Sequence, residues 1–156
     1  MIKNRYTGKT REDAINNAKI SLQELEENLY IKEIEVKNSL FNKKVEIEVI
    51  RHDDVVEYIK EYIKELVKNM GLAVNLEVKK RNDNIMYILY TDNNSILIGK
   101  NGRTLDAITT IVKQVVHKEI GEYFKFTIDV GEYKQAREQR LESLAKKVAR
   151  EVSTSK

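Results

Sequence analysis

The chain has 156 residues, with no cysteine, no proline and only two histidines. Each absence removes a class of chemistry. Without cysteine there is no disulfide framework, no thiolate catalysis and no sulfur-ligated metal. Without proline, element boundaries have to be read from glycine, asparagine and changes of hydrophobic period. No stretch is both long and apolar enough to cross a bilayer. The opening Met1-Ile2-Lys3-Asn4-Arg5 also lacks the continuous apolar block of a secretory signal. A cytoplasmic protein with no membrane insertion is therefore expected. His52 and His117 lie far apart and neither has a helically spaced His, Asp or Glu partner, so surface or helix-end positions are expected rather than a metal site. Carboxylates are plentiful but scattered. None pairs up beside a plausible nucleophile, and there is neither a Walker loop nor a hydrolase elbow, so no enzyme activity, cofactor or metal is expected.

What is present is ordinary globular composition on the charged side, 41% hydrophobic and 34% charged, in a length that supports one or two compact units. The net charge is only +3, but it is unevenly spread. Residues 1–93 hold 16 Lys and Arg against 17 Asp and Glu, whereas residues 94–156 hold 12 against 8. The positive excess lies in the last part of the chain, where a polyanion would be attracted.

Hydrophobic period divides the chain further. Ile2 to Tyr6 can form a short strand, and Thr10 with Asp13 resembles a capping box. Ala14, Ile15, Ala18, Leu22 and Leu25 then recur at helical spacing for about four turns. Ile34 and Val36, then Val45, Ile47 and Val49, alternate with charged residues as two strands around a hairpin loop at Asn38–Lys43. Residues 1–50 thus read as β-α-β-β. Asp53 or Asp54 is placed to cap a helix carrying Val55, Ile59, Tyr62, Ile63, Leu66, Val67 and Met70, with Gly71 at its C-terminal cap. Val74, Leu76 and Val78 alternate, Arg81–Asn84 turns, and Ile85 to Tyr90 is a strand apolar on both sides. A short helical segment follows to Ile98, then Gly99-Lys100-Asn101-Gly102. Beyond it comes a helix with Leu105, Ile108, Ile111, Val112, Val115 and Val116 on one side, closed by Gly121. Phe124, Phe126, Ile128 and Val130 alternate as a last strand, and a basic helix runs to about Val152. The second unit reads α-β-β-α-α-β with one helix appended, in an α+β protein.

Two glycines separated by two polar residues, directly before a helix, give a bare backbone turn suited to an anion. Without a Cβ at Gly99 or Gly102 a nucleic-acid backbone can approach closely, and the first helical amides and the helix dipole favour negative charge. Lys100 and Arg103 add positive charge at the rim, and Asn101 stands at the tip. Phosphate contacts of this kind weaken with salt through counterion release.

In its α-β-β-α-α-β context, Ile98-Gly99-Lys100-Asn101-Gly102-Arg103-Thr104-Leu105-Asp106-Ala107-Ile108 resembles the signature of a type II KH domain, a three-stranded sheet packed by helices whose loop clamps about four nucleotides of single strand. The resemblance implies that bases lie in an apolar groove beside the loop, at Ile96, Ile98, Leu105 and Ile108. It extends further. Asp129 to Ala145 is similar to the junction between the KH domain and an Arg-x-x-x-His nucleic-acid domain in the bacterial Jag (SpoIIIJ-associated, KhpB or EloR) family. Lys9-Thr10-Arg11-Glu12-Asp13-Ala14 is similar to the start of that family's N-terminal domain. On this basis residues 1–50 are a Jag-N-like domain, 54–131 a type II KH domain, and 132–156 the first helix of a truncated Arg-x-x-x-His domain. Two departures stand out. No histidine follows His117, so that second site is expected to be missing, and the stretch Asn38–Lys43 has no glycine where the family's N-terminal loop carries one.

The resemblance implies single-stranded RNA binding through Gly99, Lys100, Asn101, Gly102 and Arg103, with Ile98 and Leu105 beside them, in a post-transcriptional or cell-elongation regulator. It equally implies an alternative: an interaction scaffold that forms a homodimer or docks a smaller KH-only partner. Within the last helix, Lys134, Arg137, Arg140, Lys146, Lys147 and Arg150 are interleaved with Glu138, Glu142 and Glu151. Intrahelical ion pairs are expected there, with support of an RNA backbone as the alternative. Tyr58, Tyr62, Tyr87, Tyr90 and Tyr123 are expected to be mostly core.

Overall fold

A computed structural model describes residues 1–39, 42–81 and 84–154. The centres of the expected loop at Asn38–Lys43 and of the expected turn at Arg81–Asn84 lie outside the described residues. The rest forms two compact units, residues 1–65 with 111–124 and residues 66–110 with 125–156. The helices over residues 52–69 and 103–120 each contribute to both units.

The first unit contains the expected β-α-β-β order: β1 (Asn4–Gly8), α1 (Arg11–Leu22), β2 (Leu29–Ser39) and β3 (Asn42–Arg51). The sheet is antiparallel in the order β1-β3-β2. Its core is one face of α1, Ala14, Ile15 and Ala18, against Leu29, Val45, Ile47 and Val49, with Tyr6, Leu22 and Ile31 at the margins. Each large side chain buried there contributes about 1.5–3 kcal/mol. The capping box forms as read: the Asp13 N–H donates to Thr10 Oγ1 and the Thr10 N–H to Asp13 Oδ2, both at 3.1 Å. The helix stops sooner than its apolar period implies. Gln23 turns left-handed at φ 55°, its N–H donating to the Lys19 carbonyl, and Leu25 is exposed beyond the helix. A register shift between Glu33 and Glu35 takes Ile34 out of the alternating pattern and leaves it exposed.

α2 (His52–Asn69) begins earlier than expected. Asp54 lies within its first turn, clasped by the Arg51 guanidinium through Nε at 3.0 Å and Nη2 at 2.8 Å. His52 stacks on Tyr30 with centroids 6.3 Å apart and meets Phe124 at 5.0 Å, which gives it a packing role. Phe124 is buried there, ahead of the strand it was expected to open.

In the second unit α2 ends in a Schellman motif: Leu72 N–H donates to the Val67 carbonyl and Gly71 N–H to that of Lys68. β4 (Val74–Arg81), β5 (Asn84–Thr91), α3 (Asn94–Ile98), α4 (Arg103–Ile120), β6 (Phe126–Val130) and α5 (Tyr133–Thr154) follow, so the α-β-β-α-α-β order holds. The sheet runs β4-β5-β6, antiparallel between β4 and β5 and parallel between β5 and β6. A parallel pair needs a long crossover, and here α3 and α4 lie within it. Tyr87, Ile88 and Leu89 are consecutively buried, as a strand covered on both faces requires, and Tyr87 meets Phe126 edge-on at 5.8 Å. Tyr123 and Ile111, read as packed, are exposed.

Candidate nucleic-acid interface

The sharp turn between α3 and α4 is built by three successive local constraints. Leu97 is fully buried and fixes α3 against the second unit. Asn94 ties the start of α3 to the end of β5 by accepting the Thr91 N–H on Oδ1 at 2.9 Å. The Gly99 N–H then closes α3 on the Ser95 carbonyl at 2.8 Å. Gly99 itself has φ 68° and ψ −177°, a conformation essentially restricted to glycine, and a Cβ there would stand 2.1 Å from Thr104 Oγ1 and 3.0 Å from the Thr104 amide nitrogen. Lys100–Gly102 forms a single 3₁₀ turn in which Asn101 is left-handed at φ 57° and ψ 24°, a region asparagine tolerates better than most residues.

Not all of the loop's amides are free, contrary to the expectation from the sequence. The Gly102 N–H donates to the Gly99 carbonyl at 3.3 Å and the Arg103 N–H to that of Lys100, so the turn spends these two donors on itself. The N–H groups of Lys100 and Asn101 have no acceptor among the described residues, and both residues are exposed. The turn therefore presents an anion with two adjacent backbone donors at its tip.

The apolar residues beside the turn separate by burial. Ile96 is 47% exposed and Ile98 is half-buried, whereas Leu105 is 0% and Ile108 4% exposed. Leu105 and Ile108 are thus core residues that offer a base little surface in this structure. Their helical period is what the sequence displays, and period does not distinguish the rim of a groove from its floor.

The start of α5 completes the site. Asp129 is buried, and its Oδ1 accepts the N–H groups of Val130 at 2.8 Å and Lys134 at 3.0 Å, so a β6 carboxylate caps the helix that follows. This fixes Tyr133 and Arg137 at the turn. A Cβ on Gly102 would lie 3.2 Å from the Tyr133 ring and 3.4 Å from Arg137 Nη1, and Arg137 Nη1 donates to the Asn101 carbonyl at 3.3 Å. Neither residue is among those singled out for the loop from sequence, being more than thirty positions away. A signal was present nonetheless. Lys146 and Lys147 have Glu142 and Glu151 at i,i+4 spacing and pair with them, as expected of a solvated helix. Arg137 has Tyr133, Lys134, Arg140 and Leu141 at the corresponding positions, none of them acidic, a feature it shares with Arg140 and Arg150.

Ion pairing sharpens the contrast. Elsewhere Arg51, Lys60 and Lys64 pair with Asp54, Glu57 and Glu61 on their own helix or just before it. Lys100, Arg103 and Arg137 have no carboxylate partner among the described residues.

Comparison with known proteins places the chain in a family. Residues 56–128, which run from α2 into β6 and contain the turn, match the family described as KhpA/KhpB, KH domain. Over an alignment of 158 residues the chain is 31% identical to the RNA-binding protein KhpB of Clostridium symbiosum, covering 96% of this chain and 70% of that protein. The chain belongs to the KhpB family, which is the Jag family indicated by its sequence. RNA-binding protein KhpB of Bacillus subtilis (strain 168) is 25% identical over 118 residues, 75% of this chain and 57% of its own length. KhpB of Lactiplantibacillus plantarum is 29% identical over 83 residues, 53% of this chain and 26% of its own. The KhpB alignment from Clostridium symbiosum takes in nearly the whole chain, so family membership extends beyond the KH match alone.

Proposed function

We propose that this KhpB-family chain binds single-stranded RNA without covalent chemistry, through the turn Gly99-Lys100-Asn101-Gly102, and acts in the bacterial cytoplasm as a post-transcriptional or cell-elongation regulator. The observation that carries this reading is the pair of unengaged N–H groups on Lys100 and Asn101, at an exposed tip flanked by the unpaired cations Lys100 and Arg103. A phosphodiester supplies the acceptor oxygens and the negative charge such a tip lacks. Gly99 and Gly102 shape the turn, and Ile98 with Ile96 offers the apolar surface on which an unstacked base can rest. Single strand is favoured over duplex because its splayed bases reach a shallow apolar surface beside a phosphate grip. The RNA-binding names of the relatives support the same ligand.

Replacing Lys100 and Asn101 together by aspartate tests it. Both side chains are exposed and in a turn, so the fold is expected to survive, while two negative charges are set against phosphate. RNA affinity measured by fluorescence anisotropy at moderate salt is expected to fall at least about tenfold, a loss of about 1.4 kcal/mol. Affinity equal to the parent's would remove the turn from the mechanism.

A second reading has its own observation. Along α5, Leu141 and Leu144 are each 57% exposed and Val148 is 48% exposed, an apolar stripe suited to a protein partner, a second copy or a smaller KH-only protein. A dimer stable in light scattering at low concentration, combined with no measurable RNA affinity, would favour a scaffold. A monomer that binds RNA would favour the turn.

A further inference from the structure

We infer that Arg137, in the second turn of α5, is a phosphate-binding residue of the same site, so that the RNA path runs from the KH turn onto the appended helix. The inference rests on the RNA-binding reading above and adds a residue from outside the segment that matches the KH family, residues 56–128.

Three observations converge on this residue. The first is position: the buried Asp129 carboxylate caps α5 through the Lys134 N–H, which sets the helix's first turns at a fixed place relative to the turn at 99–102. Arg137 is therefore held beside the loop tip, with Nη1 3.3 Å from the Asn101 carbonyl oxygen. The second is spare capacity. A guanidinium carries five N–H donors in a planar fork, and the Asn101 carbonyl uses one of them. The remaining donors include the Nη2 and Nε edge that grips phosphate in bidentate fashion. The third is uncompensated charge. Arg137 is exposed and has no carboxylate partner among the described residues, and its i±3 and i±4 neighbours are Tyr133, Lys134, Arg140 and Leu141. A carbonyl contact orients the guanidinium but leaves its full positive charge available.

The Asn101 carbonyl is also the acceptor that belongs to the residue whose N–H is free. Arg137 thus sits on the same peptide neighbourhood that would receive the phosphate, adding a side-chain cation to two backbone donors. Tyr133, one turn earlier, lies against Gly102, where a Cβ would stand 3.2 Å from its ring. Gly102 is required here for a second reason besides its φ of 85°: a side chain would push the Tyr133 ring and the guanidinium away.

The test separates a phosphate contact from mere support of the loop. Arg137→Gln removes the charge and, being two bonds shorter, also the reach to the Asn101 carbonyl, so the salt slope decides between the two roles, whereas Arg137→Lys keeps the charge without the planar fork. Each variant of the 156-residue chain is titrated with short randomised single-stranded RNA over a series of salt concentrations, with thermal melting used to check that the fold is kept. Arg137→Gln is expected to weaken binding about tenfold, as for loss of a hydrogen bond to a charged group. It should also make the log–log salt dependence shallower by about 0.7, the value for one phosphate on a single strand. Arg137→Lys should retain the parent's salt dependence and lose only part of the affinity. A glutamine variant that binds like the parent with an unchanged slope overturns the inference, and so does one that binds more tightly, since the contact would then be a self-block of the turn. The Lys100/Asn101 double aspartate variant, run in parallel, tells the two failures apart. If it loses RNA while Arg137→Gln does not, the turn stands and only the role of Arg137 falls. If it binds like the parent, the RNA reading itself fails.

Discussion

Two helix starts in this chain solve the same problem in opposite ways. A helix N-terminus leaves backbone N–H groups without intrahelical partners, and something must accept them. At α1 the chain supplies its own acceptors: the Thr10 hydroxyl and the Asp13 carboxylate close a reciprocal capping box, both bonds at 3.1 Å. Ahead of the Lys100–Gly102 turn stands Gly99, which has no side chain to cap with. The turn satisfies Gly102 and Arg103 internally and leaves the N–H groups of Lys100 and Asn101 without an acceptor among the described residues. Charge follows the same division. Glu12 and Asp13 lie in the first turn of α1 and Asp106 in that of α4, but around the second turn Lys100, Arg103 and Arg137 have no ion-pair partner among the described residues. A start that caps itself contributes stability, and a start that is left open has donors and charge to offer a ligand.

The comparison breaks most sharply at Gly99. Replacing it with alanine places a Cβ 2.1 Å from Thr104 Oγ1 and 3.0 Å from the Thr104 amide nitrogen. The hydroxyl can rotate away, but the backbone nitrogen cannot. The positive φ of 68° adds strain for any residue with a side chain. Backbone strain of about 1–3 kcal/mol and a similar overpacking term together predict a loss of about 3 kcal/mol or more in denaturant unfolding, with RNA affinity lost as well. A Gly99→Ala protein with parental stability and parental RNA affinity would mean that the turn's geometry is not what positions the donors.

Most of the fold was legible in the chain, and for identifiable reasons. Period and capping chemistry are local, so the β-α-β-β order, the Thr10–Asp13 box, the Gly71 cap and the α-β-β-α-α-β order could all be read from neighbouring residues. What failed depended on ends and on depth. Leu25 continues the spacing of α1, yet the left-handed Gln23 ends the helix before reaching it. Ile34 fits the strand alternation until the register shift beside it. Leu105 and Ile108 share a helical stripe that could equally line a groove or lie under it, and only burial decides for the core. The site was half legible. Its glycines and Lys100 stand together in the sequence, whereas Arg137 was read only as one of several basic residues of the last helix, with RNA-backbone support as the alternative, because its reach to Asn101 spans 36 positions.

The smaller effect lies at the self-capped start and makes the comparison quantitative. Thr10→Ala removes the hydroxyl that accepts the Asp13 N–H, and with it the reason for the Asp13 carboxylate to fold back onto the Thr10 N–H. Loss of an N-cap of this kind costs about 1 kcal/mol, and the effect should appear as a lower denaturant midpoint with an unchanged slope. Thr10→Gly should cost only a few tenths, because glycine is itself tolerated at that position. RNA affinity should not move in either variant, since Glu12 and Asp13 set negative charge at the start of α1, where it repels phosphate. If Thr10→Ala weakened RNA binding in a protein still fully folded at the assay temperature, the division between a closed and an open helix start would be wrong. The first unit would then have to take part in binding, through contacts that its capping chemistry does not supply.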